Sequence, residues 1–319
     1  MRILITGGFG FIGGRLAAQL STAGHEVTLA SRRNVSSPNW LPMATVVPIE
    51  WESNHNLEEI CTDSDVVIHA AGMNSKECEI NPGAAHEFNG EATGRLVRAA
   101  VNVHAKTFVY LSTAHVYANP LRGKICETSP TTNTHPYATS HLQGELEVLR
   151  ATKSGRTSGR IVRLSNVFGA PTHAKVNCWM LLINDLCKQA VTTHELLLYN
   201  PGPQERDFIS MEDACASIGL IALLDSPPSK NFPSLINIGA GISFSVLQIA
   251  TLVQQRCAKV LGFQPSITYP PLAIADSSSS LEYQSLYSSH FKKVSENHTI
   301  DEIDRLLKFC KESFSAKLA

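Results

Sequence analysis

The segment TGGFGFIG at residues 6–13 places glycines where a strand turns into a helix, and the fold can be predicted outward from it. The residues that lead into it, Arg2 to Thr6, are mostly branched and aliphatic, which is typical of a buried parallel strand. After it, apolar side chains recur every three or four positions up to Gly24, as in a helix with one buried face. The start of the chain therefore predicts a strand, a glycine turn and a helix.

The glycines of this turn predict a site for a dinucleotide pyrophosphate. Gly7 and Gly10 lack a Cβ, so the backbone can turn tightly and approach the phosphates, and Gly13 lets the helix lie close to the sheet. Phe11 and Ile12 begin the helix, whose free N–H groups and partial positive charge face the same place. The location of the motif between a strand and a helix is stronger evidence for a dinucleotide site than the spacing of its glycines alone.

Strands and helices continue to alternate along the first half of the chain. Strand-like runs are separated by segments long enough for helices. This order predicts an α/β fold with a doubly wound parallel sheet of the Rossmann type. The later predicted strands are 25–30, 46–49, 65–70, 107–111 and 160–164.

The alternation becomes looser near residue 165, which predicts a second, smaller α/β lobe for the substrate. We assign residues 1–165 to a dinucleotide-binding domain, to which the chain returns at about 205–240, and residues 166–319 to the substrate lobe. Ser245 is expected to cap a helix that stops at Gly262. Proline- or serine-rich turns are expected at 201–203, 227–228, 270–271 and 277–280.

Composition argues against several classes of protein. The 319 residues include 27 Lys and Arg against 28 Asp and Glu, so the chain lacks the basic surface typical of nucleic-acid binding. No apolar run approaches the roughly 18 residues that cross a membrane, and the N-terminus has no signal-peptide core. The eight cysteines lack CxxC spacing and the twelve histidines lack paired-ligand spacing. We expect a reduced, cytoplasmic protein without a metal site.

The end of the second predicted strand bears on the choice of cofactor. A carboxylate there would bind the ribose hydroxyl of NAD, whereas an arginine accommodates the 2′-phosphate of NADP. The chain has Ser31, Arg32 and Arg33 and no carboxylate at this point. Because both guanidinium groups can pair with a phosphate, we expect NADP, with NAD as the alternative.

Six segments resemble the extended short-chain dehydrogenase/reductases, specifically the NAD-dependent epimerase/dehydratase family that acts on nucleotide-activated sugars. The resemblance covers about residues 1–250, and the segments occur in the family's order. Together they are specific, whereas any one alone is not. They are TGGFGFIG (6–13), DVVIHAAG (65–72), FVYLSTAHVY (108–117), PYATSHLQGE (136–145), RLSNVFG (163–169) and RDFISMED (206–213).

The resemblance implies roles for single residues. Tyr137 matches the family's general acid/base, and Thr113 matches the residue that hydrogen-bonds the reacting sugar oxygen. Such a pair is needed because hydride transfer at a C–O carbon requires a proton to move at its oxygen. Asn166 and Arg206 resemble substrate-side residues, with Arg206 binding a nucleotide diphosphate. Beside the cofactor the resemblance places Ala70, Ala71, Gly72 and Asn89.

The active-site helix departs from the family at His141. The family reads Tyr-x-x-x-Lys, and its lysine binds the nicotinamide ribose and lowers the pKa of the tyrosine. Here His141 takes that position, four residues after Tyr137 and on the same helical face, so we predict that it is catalytic and contacts the cofactor. A histidine is shorter and mostly neutral at pH 7. Three outcomes stay open: an enzyme with altered pH dependence, a slow enzyme, or a binding protein without turnover.

A second departure concerns the type of reaction. The dehydratases of the family that this chain resembles have Thr-Asp-Glu at the positions where this chain has Thr113, Ala114 and His115. This difference argues against sugar 4,6-dehydration. His115, two residues after Thr113, is predicted to share its strand face. It then contacts substrate or acts as an acid/base group, or it packs and hydrogen-bonds without a chemical role.

These features predict an NAD(P)-dependent enzyme for a nucleotide-diphosphate sugar. Hydride transfer at a sugar carbon would give epimerisation or reduction of a 4-keto group. The alternatives are a reductase of a non-sugar carbonyl and a cofactor-binding protein weakened by His141. The resemblance also implies a homodimer formed through helix packing. The nucleotide base, the sugar and the reacting carbon are not specified by the sequence.

Overall fold

A computed structural model describes residues 1–199, 204–224, 233–269, 280–290 and 296–315. The strands, in chain order, are β1 (Arg2–Thr6), β2 (Glu26–Ser31), β3 (Thr45–Pro48), β4 (Val66–His69), β5 (Thr107–Thr113), β6 (Gly123–Ile125), β7 (Ser158–Leu164), β8 (Asn166–Phe168), β9 (Glu195–Leu197), β10 (Glu205–Ser210), β11 (Leu235–Ile238), β12 (Ser243–Ser245), β13 (Ser266–Thr268) and β14 (Leu281–Tyr283).

The helices complete the set of elements. The α-helices are α1 (Phe11–Thr22), α2 (Asn54–Cys61), α3 (Ser75–Ile80), α4 (Pro82–Ala85), α5 (Thr93–Asn102), α6 (Pro136–Ala151), α7 (Leu182–Thr192), α8 (Met211–Leu223), α9 (Val246–Val260) and α10 (Glu296–Phe314). A π-helical segment, His86–Ala92, leads into α5, and short 3₁₀ turns lie at Ala114–Val116 and Ser288–His290.

A seven-stranded parallel sheet forms the centre of the molecule, in the order β11-β7-β5-β4-β1-β2-β3. Both of its faces are covered by helices. Ile3 and Ile5 of β1 lie in one core with residues of α1 and α8, whereas Leu4 lies in a second core with residues of α2 and α5. The strand order reverses beside β1, and ligands bind at such a point on the carboxyl edge of a doubly wound sheet. The predicted Rossmann-type sheet is confirmed.

The predicted strands are observed with small shifts of their ends. The strand expected at 25–30 lies at Glu26–Ser31, and the one expected at 107–111 continues to Thr113. Strand β5 pairs in parallel with β7 as far as Thr113. The local hydrophobic pattern does not predict this end of the strand, because the pairing joins residues far apart in the chain. The first helix ends at Thr22, and Gly24 follows it with φ of 85°, a conformation that suits glycine.

Three small sheets and three helices make up the other part of the fold. The sheets are β12-β10-β8, β13-β9 and β14-β6. Helices α7, α9 and α10 surround a separate apolar core. Ser245 caps α9 through its side chain as predicted. Within 205–240, β10 belongs to a small sheet and β11 completes the large one.

The division of the chain into domains at residue 165 stays a prediction. The turns predicted at 201–203, 227–228 and 270–271 lie outside the described residues, as does all of 277–280 except Ser280. Among the helices that are described, none is long and apolar enough to cross a membrane. The same part of the chain contains no group of three or more His, Cys, Asp or Glu side chains placed to hold a metal ion.

Candidate active site

The turn between β1 and α1 is built so that only glycine fits. Gly7 has φ of 71°, and a Cβ there would lie 2.6 Å from the carbonyl carbon of Ala70. Its carbonyl accepts a hydrogen bond of 2.8 Å from the N–H of Gly10, which closes the turn. The turn therefore lies directly against the end of β4, where Ala70 and Ala71 begin the next loop.

The N-terminus of α1 is open toward this turn. A Cβ on Gly13 would lie 2.3 Å from the carbonyl oxygen of Gly7, so the helix approaches the turn as closely as glycine allows. Gly10 is the N-cap, no side chain caps the helix, and the first turn, which begins with Phe11 and Ile12, contains no acidic residue. Among the described residues no side chain caps these first N–H groups, which fits the binding of a pyrophosphate.

The end of β2 carries Ser31, Arg32 and Arg33. In the sheet, β2 is the neighbour of β1, the strand that leads into the glycine turn and α1. The Ser31 hydroxyl accepts a hydrogen bond of 3.0 Å from the N–H of Arg33. Both arginines are exposed, and the Arg32 guanidinium lies 5.8 Å from the centroid of the Phe88 ring. Neither arginine is ion-paired within the residues that the structure describes. Two available cations therefore border the place where an adenosine ribose would lie.

Asn89 fixes the loop that follows β4. Its side-chain oxygen accepts a hydrogen bond of 2.8 Å from the N–H of Met73, and its amide nitrogen donates to Ser140 of α6 at 3.1 Å. Gly72 lies beside it, where a Cβ would be 3.5 Å from the Asn89 side-chain oxygen. Asn89 is buried within the π-helical segment, a form that is common at functional sites.

A buried histidine links the glycine turn to this π-helical segment. His69, at the end of β4, lies 2.7 Å from the Thr6 hydroxyl through Nδ1 and 2.9 Å from the Thr93 hydroxyl through Nε2. Thr93 donates its own proton to the carbonyl of Asn89, so Nε2 of His69 must be the donor and Nδ1 the acceptor. Burial lowers the pKa of His69 to about 3, which keeps the ring neutral. His69 was not predicted from the sequence.

Tyr137 lies in the first turn of α6, beside the end of β5. The Nδ1 atom of His135 accepts a hydrogen bond of 3.1 Å from the Tyr137 N–H and so caps the helix. The Thr113 side chain lies close enough to the phenol to lower its pKa, so the two predicted catalytic residues lie together. Burial raises the pKa of Tyr137, and the Thr113 contact offsets only part of that effect. The phenol therefore keeps its proton at neutral pH.

His141 lies one helical turn after Tyr137, with the two ring centroids 4.4 Å apart. Its Nδ1 atom is 2.8 Å from the carbonyl oxygen of Tyr137, which can only accept, so Nδ1 is protonated. Burial lowers the pKa of His141 to about 4, so the ring is neutral at pH 7 and Nε2 is an acceptor. A Cβ on Gly72 would lie 4.0 Å from Nε2, which places that atom at the loop after β4.

His115 lies beside Tyr137, and Asn166 and Arg206 lie close to His115. The prediction that His115 shares a strand face with Thr113 is wrong, because β5 ends at Thr113 and His115 lies in a 3₁₀ turn closed by its own N–H on the Thr113 hydroxyl. Its ring nevertheless lies edge-on to Tyr137, with centroids 6.4 Å apart. Burial and the charge of Arg206 lower the pKa of His115, while the nearby Asn166 side chain raises it.

Arg206 is half-buried on β10, and burial lowers the pKa of its guanidinium. In the described ranges its guanidinium has no ion pair or hydrogen-bond acceptor. Asn166 is held next to it because its amide nitrogen donates to the carbonyl of Asp207 at 2.8 Å. A partly buried cation without an internal partner is suited to bind an anionic group of a ligand.

A buried ion pair on the helix that carries Tyr137 was not predicted from the sequence. Glu145 on α6 accepts two hydrogen bonds from Arg163 of β7, at 2.9 and 2.6 Å, and one from the Ser112 hydroxyl of β5 at 2.5 Å. These contacts fix α6 against both strands. Because Glu145 is eight residues after Tyr137, helical spacing places both on one face, and that spacing was the available signal.

The comparisons with known proteins give the family. The model of the NAD dependent epimerase/dehydratase family matches residues 3–239. The chain belongs to this family, as the sequence motifs predicted, and it is an enzyme of the extended short-chain dehydrogenase/reductase type.

Relatives and solved structures agree with this assignment. A dTDP-6-deoxy-L-talose 4-dehydrogenase (NAD(P)(+)) of Kitasatospora kifunensis is 28% identical over 261 residues, which are 79% of this chain and 78% of that protein. A UDP-glucose 4-epimerase of Corynebacterium glutamicum is 25% identical over 274 residues, or 82% and 81% of the two chains. The UDP-glucose 4-epimerase of Bifidobacterium longum, solved with NAD+ and UDP, is 22% identical, with a TM-score of 0.78 over 99% of each chain. This last likeness shows the fold.

Proposed function

We propose that the protein is an NADP-dependent reductase of the 4-keto group of a nucleotide-diphosphate sugar. Tyr137 would donate the proton to the reacting oxygen, and the Thr113 hydroxyl would hold that oxygen by a hydrogen bond. The main support is that the phenol is protonated, since burial raises its pKa and the neighbouring His141 is neutral. A protonated phenol is ready to act as an acid, as reduction requires.

The cofactor would lie along the carboxyl edge of the large sheet. The glycine turn and the N-terminus of α1 would hold the pyrophosphate, and Arg32 and Arg33 the 2′-phosphate. Nε2 of His141, as an acceptor, would take a hydrogen bond from a ribose hydroxyl where the family lysine donates one. When bound, the reduced nicotinamide supplies the hydride.

The nucleotide diphosphate would lie between the large sheet and β10. Arg206 is the cation at this place, and Asn166 lies beside it. Binding of the diphosphate would position the sugar ring between Arg206 and the Tyr137–Thr113 pair. A non-sugar ketone would leave the half-buried guanidinium of Arg206 without a partner, which favours a diphosphate-bearing substrate.

Epimerisation at the same carbon is the second candidate, since the UDP-glucose 4-epimerase of C. glutamicum is among the similar proteins. An epimerase must first oxidise its substrate. Its tyrosine must then be deprotonated, because it has to accept the proton of the substrate hydroxyl. The neutral His141 does not help that step. A cytoplasmic location and a homodimer remain proposals from the sequence.

A panel of nucleotide-linked sugars tests the function. UDP-, dTDP- and GDP-linked 4-keto sugars would be mixed with NADPH or NADH, and loss of the reduced-nicotinamide absorbance would be followed, with products identified by NMR. We expect NADPH to be consumed with at least one 4-keto sugar. Tight cofactor binding without turnover on any member would instead indicate a binding protein, and conversion of a 4-hydroxy sugar without net cofactor use would indicate an epimerase.

Replacing His141 by lysine should change the oxidation reaction. A permanent charge beside Tyr137 stabilises the phenolate, so oxidation of the alcohol product by NADP+ at pH 7 should become about tenfold faster, equivalent to about one unit of tyrosine pKa. The pH profile of oxidation should move to lower pH, and reduction should change less. The measurement is initial rate against pH in both directions.

His141→Gln is the matched control for this substitution, because it is neutral and should leave the profile in place. Loss of both directions in His141→Lys, with cofactor binding retained, would show that the histidine has a role which a charge cannot replace. The wild-type enzyme should show no rate change near pH 6.5 from His141, since its pKa is about 4.

Removal of the two arginines after β2 should weaken NADP binding. The double substitution Arg32→Gln, Arg33→Gln removes charged hydrogen-bond donors to the 2′-phosphate, so the Kd for NADP+ should rise about 10- to 100-fold, while that for NAD+ changes little. Calorimetric titration with both cofactors measures this. Arg122→Gln, at an exposed position after β5, is the control for loss of surface charge. Equal losses for both cofactors would contradict the NADP preference.

A further inference from the structure

A path of four hydrogen bonds connects Thr113 to Tyr137 through the loop that precedes α6. The Thr113 hydroxyl accepts from the His115 N–H at 3.1 Å, and the His115 carbonyl accepts from the Asn133 amide nitrogen at 2.7 Å. The Asn133 side-chain oxygen accepts from the His135 N–H at 2.9 Å, and Nδ1 of His135 accepts from the Tyr137 N–H at 3.1 Å. The path therefore joins the two residues that we place at the reacting oxygen.

The loop that carries this path is fixed at both of its ends. The N–H and the hydroxyl of Thr132 each donate to the carbonyl of Tyr117 at 2.8 Å. At the other end, the His135 carbonyl accepts a hydrogen bond of 3.0 Å from the Thr139 N–H in the first turn of α6. Between these ends, the side chains of Asn133 and His135 connect the loop with the 3₁₀ turn and with the helix.

The last hydrogen bond of the path requires a neutral His135. Its Nδ1 atom is the N-cap acceptor of α6, and an imidazole nitrogen accepts only when it has a free electron pair. A protonated ring donates from both nitrogens, so it breaks the bond from the Tyr137 N–H and places a positive charge at the positive end of the helix. Asparagine at the same position would also cap the helix, but it does not titrate.

The titratable and charged groups near this cap do not favour a positive charge. His115 in the 3₁₀ turn interacts electrostatically with His135, and Arg206 on β10 acts on His115 in the same way. From the π-helical segment, His86 reaches α6 at the Thr139 hydroxyl, 3.2 Å from its Nε2 atom. None of these three groups is an acid, and among the described residues no carboxylate forms an ion pair with His135.

We propose that Asn133 and His135 are positioning residues, which hold Tyr137 in its reactive place beside Thr113 only while His135 is neutral. The inference rests on the proposed function, because it concerns the placement of the proton donor for the ketone. Reduction would then slow when the pH falls and His135 gains a proton. The phenol itself would not cause this loss, since its raised pKa keeps it protonated throughout.

Reduction rates at two pH values test the role of His135. Single-turnover oxidation of NADPH, bound at saturation, by a 4-keto nucleotide sugar would be measured at pH 8 and pH 5.5. We expect His135→Ala to be about tenfold slower than wild type at pH 8, since small displacements of a catalytic group are costly, and its Kd for NADP+ to be unchanged. His135→Asn should stay within about threefold of wild type.

The change of rate with pH separates a titrating cap from a merely structural one. Histidine side chains commonly gain a proton between about pH 7.5 and 5.5. From pH 8 to pH 5.5 the wild-type rate should fall about tenfold, whereas the rate of His135→Asn should fall less than about twofold. An equal fall in both proteins would overturn the proposal.

A double substitution tests whether Asn133 and His135 belong to one path. Asn133→Ala should also be about tenfold slower, and Asn133→Ala, His135→Ala should be no slower than either single variant. Independent effects would multiply to about 100-fold and would contradict the proposal. Ser53→Ala is the matched control, because it removes the N-cap of α2, a hydrogen bond of 3.2 Å from the Asn56 N–H, and it should reduce at the wild-type rate.

A measurement without substrate separates the path from the reaction. Protein labelled with ¹⁵N-tyrosine would give the amide signal of Tyr137, assigned by its loss in Tyr137→Phe. We expect this signal to shift between pH 8 and pH 5.5 in the wild-type protein and to stay in place in His135→Asn, while the signal of the exposed Tyr199 stays in place in both. An unmoved wild-type signal, or the wild-type rate in His135→Ala, would overturn the proposal and leave the reductase intact. A shifting signal without reduction of any 4-keto sugar would support the path and count against the proposed function.

Discussion

Tyr137→Phe should lose about 1,000-fold in the rate of ketone reduction while its affinity for cofactor stays close to that of the wild-type protein. The phenol is the only group that we place to donate a proton to the reacting oxygen, and removing a general acid costs about 10²- to 10⁴-fold. The ring itself is kept by phenylalanine, so its packing against His141 is preserved. Single-turnover oxidation of bound NADPH by a 4-keto sugar measures the chemical step.

Tyr199→Phe is a suitable control, because this tyrosine is 77% exposed and lies in none of the elements that form the cleft. Thr113→Val should reduce the rate less than Tyr137→Phe, since it removes a hydrogen bond and not the proton donor. If Tyr137→Phe kept more than a tenth of the wild-type rate, another group would have to supply the proton, and the proposed mechanism would be wrong.

Gly13→Ala should abolish useful cofactor binding. The new methyl group would lie 2.3 Å from the Gly7 carbonyl oxygen and 2.9 Å from its carbonyl carbon, which is closer than atoms can approach without movement. The helix and the glycine turn must then separate, so we expect the Kd for NADP+ to rise at least about 100-fold. Overpacking of this kind also costs about 1–3 kcal/mol in the free energy of unfolding. Calorimetric titration and denaturant unfolding measure the two effects.

Gly219→Ala provides the comparison, because it lies inside α8 and its Cβ would meet only a Leu20 methyl group at 3.7 Å. That variant should bind NADP+ like the wild-type protein and unfold at the same or a higher denaturant concentration. Wild-type affinity in Gly13→Ala would mean that the pyrophosphate does not lie at the start of α1. The cofactor site would then have to be sought elsewhere.

Local sequence patterns predicted the parts of the site whose residues are close in the chain. The turn at 6–13 combines a buried strand, glycines and an amphipathic helix within a few residues. Tyr137 and His141 share a helical face, which follows from helical geometry. Strand β1 and helix α1 therefore form where their hydrophobic pattern indicates.

The substrate side depended on contacts that no local pattern contains. Asn166 begins β8 and Arg206 lies on β10, and these strands meet through parallel pairing over about 40 residues of sequence. The 3₁₀ turn at His115 forms because the Thr113 hydroxyl accepts its N–H, in place of a further strand residue. A short-range side-chain hydrogen bond of this kind competes with the strand preference of the local sequence.

The histidine between Thr6 and Thr93 has a mechanical consequence. Its two nitrogens have opposite roles, one accepting and one donating, so the ring fits in a single orientation between the two threonines. His69 thereby holds the two sides of the proposed cofactor cleft, which begin at Thr6 and at Asn89, at a fixed distance from each other. A dinucleotide would bind to a preorganised cleft, so little of its binding free energy would be lost to ordering the protein.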